Sequence, residues 1–131
     1  MINMSQEEYA AIRNILLNLG LPAHRVGYWY LFVAIPCFAQ NPTQSLTKEL
    51  YPHVARLSHC SDWRNIEHTI RTAIVHGWEN RNQEIWNYYF PTAKKCPTIK
   101  LFLSVLAQYL INNPLPFPEG EKSQEDVPGG S

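Results

Sequence analysis

The 131-residue chain is short enough to favour a single domain, and its composition excludes several classes of protein. Hydrophobic residues make up 45% and charged residues 17%, which supplies a core without the help of disulfides. The three cysteines are scattered, as is typical of a reducing compartment, and no apolar stretch reaches the length of a membrane span. The N-terminus lacks the pattern of a secretory signal, so we expect a cytoplasmic protein with no membrane partner.

The formal net charge is zero, but the charges are unevenly distributed along the chain. Residues 9–112 hold ten basic and five acidic residues, a net charge of +5, whereas both ends of the chain are acidic. A modest basic excess of this kind is compatible with a small protein that binds nucleic acid.

The first two predicted helices differ in character. Residues 6–19 place apolar side chains at helical spacing after Ser5, which can act as the N-cap, and Gly20 is a natural C-terminal cap. Residues 24–39 have no polar face, which predicts a buried central helix. Pro36 should kink or end this helix, because proline removes an amide donor and clashes with the preceding turn.

The third predicted helix begins at a cap provided by Ser45 or Thr47 and runs to about Leu57. Pro52 lies inside this segment. It either begins a new helical segment or kinks the existing one.

The fourth predicted helix follows a short polar break at residues 58–61. Ser61 or Asp62 caps it, and it extends to about Glu79. Its apolar side chains form one stripe, which leaves the remaining positions to solvent or to a partner. The stripe consists of Ile66, Ile70, Ala73, Ile74 and Trp78.

The rest of the chain predicts two more helices and a tail. Residues 82–90 suggest a short aromatic helix, and Thr98 can cap a last helix that runs to about Ile111. The expected core face of that helix consists of Leu101, Phe102, Val105, Leu106, Tyr109 and Leu110. Residues 113–131 are acidic and rich in proline and glycine, which predicts a disordered tail outside a folded domain at residues 1–112.

The third helix, the break and the fourth helix form a helix-turn-helix pattern. In that arrangement the second helix enters the DNA major groove, where Arg reads guanine, Asn reads adenine and Glu accepts from cytosine. The residues expected to contact bases are Arg64, Asn65, Glu67, His68 and Arg71. Those expected to hold the DNA backbone are Thr47, Lys48, Arg56, Lys94 and Lys95. The same helix is also compatible with an ordinary solvated face that carries the pairs Arg64–Glu67 and Glu67–Arg71.

Several strings of the sequence, taken in order, resemble one known family. They are LGLPAHRVGYWYL at 19–31, LTKELYP at 46–52, IEHTIRTAI at 66–74 and KCPT at 95–98, with Trp78 also in register. They resemble the C-terminal effector domain of the sporulation initiation response regulator, the stage zero sporulation protein A family. The resemblance covers roughly residues 10–111.

The resemblance implies a compact, all-α, six-helix domain whose helix-turn-helix reads a short promoter element. It implies double-stranded DNA as the partner, with RNA polymerase and a second copy in a DNA-induced dimer as further partners. Glu67 and Arg71 match family positions on the recognition helix, whereas Asn65 and His68 stand where arginine is usual. The turn before this helix is one residue longer here. The loss of two arginines predicts a lower affinity, since a good base contact gives roughly 1–3 kcal/mol of discrimination.

Two further expectations follow from what the sequence lacks. Full-length members of the family carry a phosphoacceptor receiver domain, whereas this chain has no acidic cluster to bind magnesium or accept phosphate, so we do not expect a phosphorylation switch. It also has no glycine-rich phosphate loop, no catalytic triad order and no zinc-ligand spacing, so we expect no enzyme, cofactor or metal. The alternative to a DNA-binding regulator is a protein–protein interaction module that keeps the helix-turn-helix fold with weakened or lost DNA binding, which Asn65, His68 and the neutral charge favour.

Overall fold

The structure is a computed structural model that describes residues 6–112, with side chains as far as Leu110. Within these residues the chain forms six α-helices and no strand, which confirms the predicted all-α class. The helices are α1 (Gln6–Asn18), α2 (Val26–Gln40), α3 (Tyr51–Leu57), α4 (Trp63–Glu79), α5 (Gln83–Tyr89) and α6 (Ile99–Asn112). The expected cap at Ser5 and the expected tail at residues 113–131 lie outside the described residues.

Most of the predicted helix ends are confirmed by local hydrogen bonds. Gly20 has a φ of +84° and closes α1, with its amide donating to the Leu17 carbonyl and the Leu21 amide donating to the Leu16 carbonyl. This pair of bonds is a Schellman motif, which needs a left-handed residue that glycine adopts without strain. Thr98 caps α6, because its hydroxyl accepts from the Leu101 amide at 3.1 Å.

The segment before α3 is a π-helical turn at Leu46–Leu50, capped by the Ser45 hydroxyl, which accepts from the Lys48 amide. Pro52 lies in the first turn of α3 and therefore begins a new segment, the first of the two expected outcomes. The π-helical turn is wider than a turn of α-helix, and Pro52 explains why it forms here. Pro52 has no amide to donate to the carbonyl of Lys48, and its ring would clash there in a continuous α-helix.

Helix α2 is the centre of the fold and packs most extensively against α6 and α4. Pro36 does not end it, since the helix continues to Gln40. The prediction that α2 is buried throughout is wrong at its N-terminal part, where Val26 is 55% and Trp29 is 52% exposed. The apolar pattern was misleading there because an exposed aromatic packs sideways on a neighbour of its own helix, as Trp29 does on Phe32 at 5.5 Å between ring centroids.

The segment from Gly20 to Tyr30 runs antiparallel to α4 and fixes the position of that helix. A Cβ at Gly20 would have the backbone of Gly77 as its nearest neighbour, and one at Gly27 would lie 2.6 Å from the Thr69 carbonyl oxygen. Burial raises the pKa of Tyr30, and Cys60, which lies just before the start of α4, adds to this effect. Because Gly27 has no side chain, α2 and α4 approach each other at backbone distance.

Helices α5 and α6 close the domain with an aromatic cluster. Trp86 is buried and stacks on Phe90, and its indole N–H donates to the Leu19 carbonyl at 3.1 Å. Phe102 continues the stack from α6. The prediction that Leu101 belongs to the core face of α6 is wrong, because Leu101 is 45% exposed and Leu103 is buried in its place.

Candidate DNA-binding interface

The turn between α3 and α4 is held by three local contacts. His59 adopts a φ of +57°, so that the Cys60 amide reaches the Ala55 carbonyl at 2.8 Å and ends α3. The Cys60 thiol donates to the Asp62 carbonyl at 3.4 Å. Asp62 is the N-cap of α4, and its carboxylate accepts from the Arg64 amide at 3.0 Å. The predicted helix, turn and second helix are therefore all present.

Trp63 locks the turn against α3. Its ring stacks on Tyr51 with centroids 6.0 Å apart and planes 11° apart, so the indole packs within the domain. Burial raises the pKa of Tyr51 to about 12, and the carboxylate of Glu67 adds to this effect while Arg71 opposes it. The stack joins the start of α3 to the first turn of α4.

The exposed face of α4 carries the residues that the sequence assigned to base contacts. Arg64, Asn65, His68 and Arg71 are all exposed. Positions 64, 68 and 71 recur at intervals of four and three residues, which places them on one side of a helix. Glu67 is less exposed, with 34% of its side chain accessible.

Both arginines of this face are paired with carboxylates. The Arg64 guanidinium donates to the two oxygens of Asp62 at 3.1 and 3.4 Å, and the pKa of that carboxyl is lowered first by this side-chain contact and then by the Arg64 amide. Arg71 donates to Glu67 at 3.1 Å. The expected Glu67–Arg71 pair is thus present, whereas Arg64 pairs with its own N-cap residue and not with Glu67, because the cap lies within reach of its side chain.

The five residues assigned to the DNA backbone are exposed as well, but they come from separate elements. Two belong to the π-helical turn, one to the last turn of α3 and two to the loop between α5 and α6. They are Thr47, Lys48, Arg56, Lys94 and Lys95.

Arg71 acts electrostatically on residues of two neighbouring elements. Its charge lowers the pKa of Tyr51 at the start of α3 and that of Cys96 in the α5–α6 loop, although burial outweighs it at both sites.

A comparison with known families agrees with this geometry. Residues 12–110 match the family described as "Sporulation initiation factor Spo0A C terminal". The match begins in the middle of α1, covers α2 to α5 completely and ends two residues before the end of α6.

The chain belongs to this family. Membership of the Spo0A C-terminal family makes it a DNA-binding effector domain of the type found in sporulation response regulators, and this family is not one of enzymes. No helix among residues 6–112 is long and apolar enough to cross a membrane.

Sequence reasoning expected Trp63 to pack under the turn, and it missed the partners in two contacts at this interface. The Tyr51–Trp63 stack joins positions in different elements, and no short-range pattern announces it. The bond from Arg64 to Asp62 has a local signal, since an Asp N-cap two residues before an arginine places both groups at the first turn.

Proposed function

We propose that this domain is a sequence-specific DNA-binding transcriptional regulator whose α4 is the recognition helix and lies in the major groove. The observation that supports this most directly is the exposed side of α4. Arg64, His68 and Arg71 lie there, on the second helix of a helix-turn-helix in a chain of the Spo0A C-terminal family. In this geometry the N-terminal half of the second helix reaches the base edges.

Each side chain of this face has a role that fits its chemistry. Arg64 and Arg71 donate to guanine, Asn65 pairs with adenine, and Glu67 accepts from the cytosine amino group. His68 also faces the DNA major groove, where its shorter side chain can donate or accept a hydrogen bond. The pairs with Asp62 and Glu67 do not prevent this, because ion pairs that are open to solvent are weak, whereas a guanine contact gives about 1–3 kcal/mol of discrimination.

The phosphate contacts come from the elements around α4. Thr47, Lys48, Arg56, Lys94 and Lys95 hold the backbone and set the position of the helix without reading sequence. Residues 1–112 are the unit that binds DNA, and the acidic segment 113–131 lies outside it. Each neutralised phosphate should add about −0.9 to the slope of log affinity against log salt concentration.

The assembly on DNA follows from the same proposal. Two copies occupy neighbouring sites and contact each other only when DNA brings them together, and RNA polymerase is a further partner of the bound domain. A regulator that acts on a promoter works where the chromosome is, in the cytoplasm.

The proposal is tested by replacing Arg71 with alanine and measuring affinity for a preferred duplex. We expect Arg71→Ala to weaken binding about tenfold to a hundredfold, because one bidentate base contact is lost. Arg13→Ala is the matched control, since Arg13 is an exposed arginine on α1. Equal affinity of the Arg71→Ala variant and the unchanged protein, with the helical circular dichroism retained, would remove α4 from the interface.

A further inference from the structure

A groove of about 440 Å³ lies between the start of α2 and the outer side of α4. Its volume is in the range of ordinary small-molecule sites, which is about 300–1,000 Å³. The α2 side contributes Pro22, Arg25, Val26, Gly27 and Tyr30. The α4 side contributes Asn65, His68, Thr69, Thr72, Ala73 and His76.

The two ends of the groove have different neighbours. Because the segment from Gly20 to Tyr30 runs antiparallel to α4, Tyr30 lies at the Asn65 end and Arg25 lies toward His76. At 1.5 Å per residue, Asn65 and His76 are separated by about 16 Å along the helix. The Arg25–His76 end therefore lies beyond Arg71, the last residue assigned to base contacts, which is about 8 Å from His76 along the helix.

The charges of the lining point to an anion. No carboxylate lines the groove, whereas Arg25, His68 and His76 all do. The guanidinium of Arg25 has no acidic partner among the described residues, and its one recorded side-chain contact is with the neighbouring His24 at 3.4 Å. An arginine without a carboxylate is available to bind a carboxylate or phosphate group in two-point fashion.

The remaining lining favours an organic molecule over a bare ion. Pro22, Val26 and Ala73 form an apolar wall, and Thr69 and Thr72 lie near it. Tyr30 also lines the groove. A metal ion does not fit, because His68 and His76 are about 12 Å apart along α4 and cannot ligate one ion.

We propose that this groove binds a small molecule that carries one anionic group on an apolar body. The anion is held by Arg25 and His76, and the apolar body lies along Val26 and Ala73. This site goes beyond the proposed function and does not depend on it, since the ligand is bound in the absence of DNA.

The test uses the full chain and three probes that share one ring. Phenyl phosphate and benzoate carry the two common anionic groups, and phenol is the neutral counterpart. Chemical shifts of the backbone amides are followed during titration with each probe. We expect saturable chemical-shift changes at the groove with an anionic probe. Phenol should bind at least about tenfold more weakly than that probe.

Variants locate the site. Arg25→Ala should weaken the better anionic probe about tenfold, whereas Arg13→Ala, the same change on α1, should leave it unchanged. His76→Ala provides a second test of the same end of the groove. No saturable binding of either anion, equal binding of phenol, or equal loss in the Arg13→Ala variant would overturn the proposal, and each of these results is independent of whether the protein binds DNA.

Discussion

The closest approach of α2 to α4 predicts that Gly27→Ala destabilises the domain. A Cβ at this position would lie 2.6 Å from the Thr69 carbonyl oxygen and 2.8 Å from the Ala73 Cβ. Carbon atoms pack at about 3.5–4.0 Å, so the two helices would have to separate by roughly 1 Å. Neither neighbour can turn away, because one is backbone and the other is the first side-chain atom.

The expected loss follows from two opposing effects. Overpacking costs about 1–3 kcal/mol, and alanine returns up to about 1 kcal/mol through its better helix propensity. Because the clash is with backbone, the cost lies near the upper end of that range, and a net loss of about 1–2 kcal/mol in the free energy of unfolding remains. In a domain of this size it should lower the melting temperature by about 3–10 °C. Thermal and urea unfolding followed by circular dichroism measure it.

A double variant separates the clash from other effects of the alanine. Ala73→Gly removes one of the two close contacts, so the combined loss should be smaller than the sum of the single losses by about 0.5 kcal/mol or more. An unchanged or higher melting temperature for Gly27→Ala would show that the helices do not approach this closely.

Two further predictions concern the core and the turn. Trp86→Phe should lower the free energy of unfolding, measured by urea titration, by about 2 kcal/mol or more. The change leaves the Leu19 carbonyl without its buried donor and removes ring volume. An unchanged free energy of unfolding would contradict the hydrogen bond from the indole. Burial raises the pKa of Tyr51 to about 12, so its contribution to stability should be complete below pH 10 and should be lost as the pH rises toward 12. In a spectrophotometric titration of the tyrosines, we expect Tyr51 to ionise only as the protein unfolds. Ionisation of every tyrosine near pH 10 in the folded protein would refute this.

The fold could be predicted from the sequence because its signals are local. The left-handed Gly20, the cap at Asp62 and the hydroxyl of Thr98 each act within a few residues of their own position. Periodicity identified the buried side of α4 for the same reason, since one helix face repeats along a continuous segment.

Features that depend on packing between distant segments could not be predicted in this way. The exposure of Trp29 depends on which neighbours cover α2, and apolar character alone does not record that. The role of Gly27 depends on Thr69 and Ala73, which are far away along the chain. In the sequence, Gly27 was therefore only one more position of an apolar helix. The groove has the same origin, because Arg25 and His76 line one groove only after α2 has packed on α4.

The candidate interface lies between these two cases. The exposed arginines of α4 followed from the pattern, and their role as DNA readers is part of the proposed function. The partner of Arg64 did not follow, because an arginine in the first turn has a choice between the N-cap at Asp62 and Glu67 further along the helix. Geometry decides that choice, and composition does not.

The central claim, that α4 reads DNA sequence, is tested most directly by selecting binding sites from a randomised duplex pool and sequencing them at two salt concentrations. The account predicts enrichment of a short motif and a steep loss of affinity at the higher salt, since base contacts specify and phosphate contacts release counterions. Salt-sensitive retention without any enriched motif would contradict sequence-specific recognition, and no retention at either salt concentration would contradict DNA binding by this domain altogether.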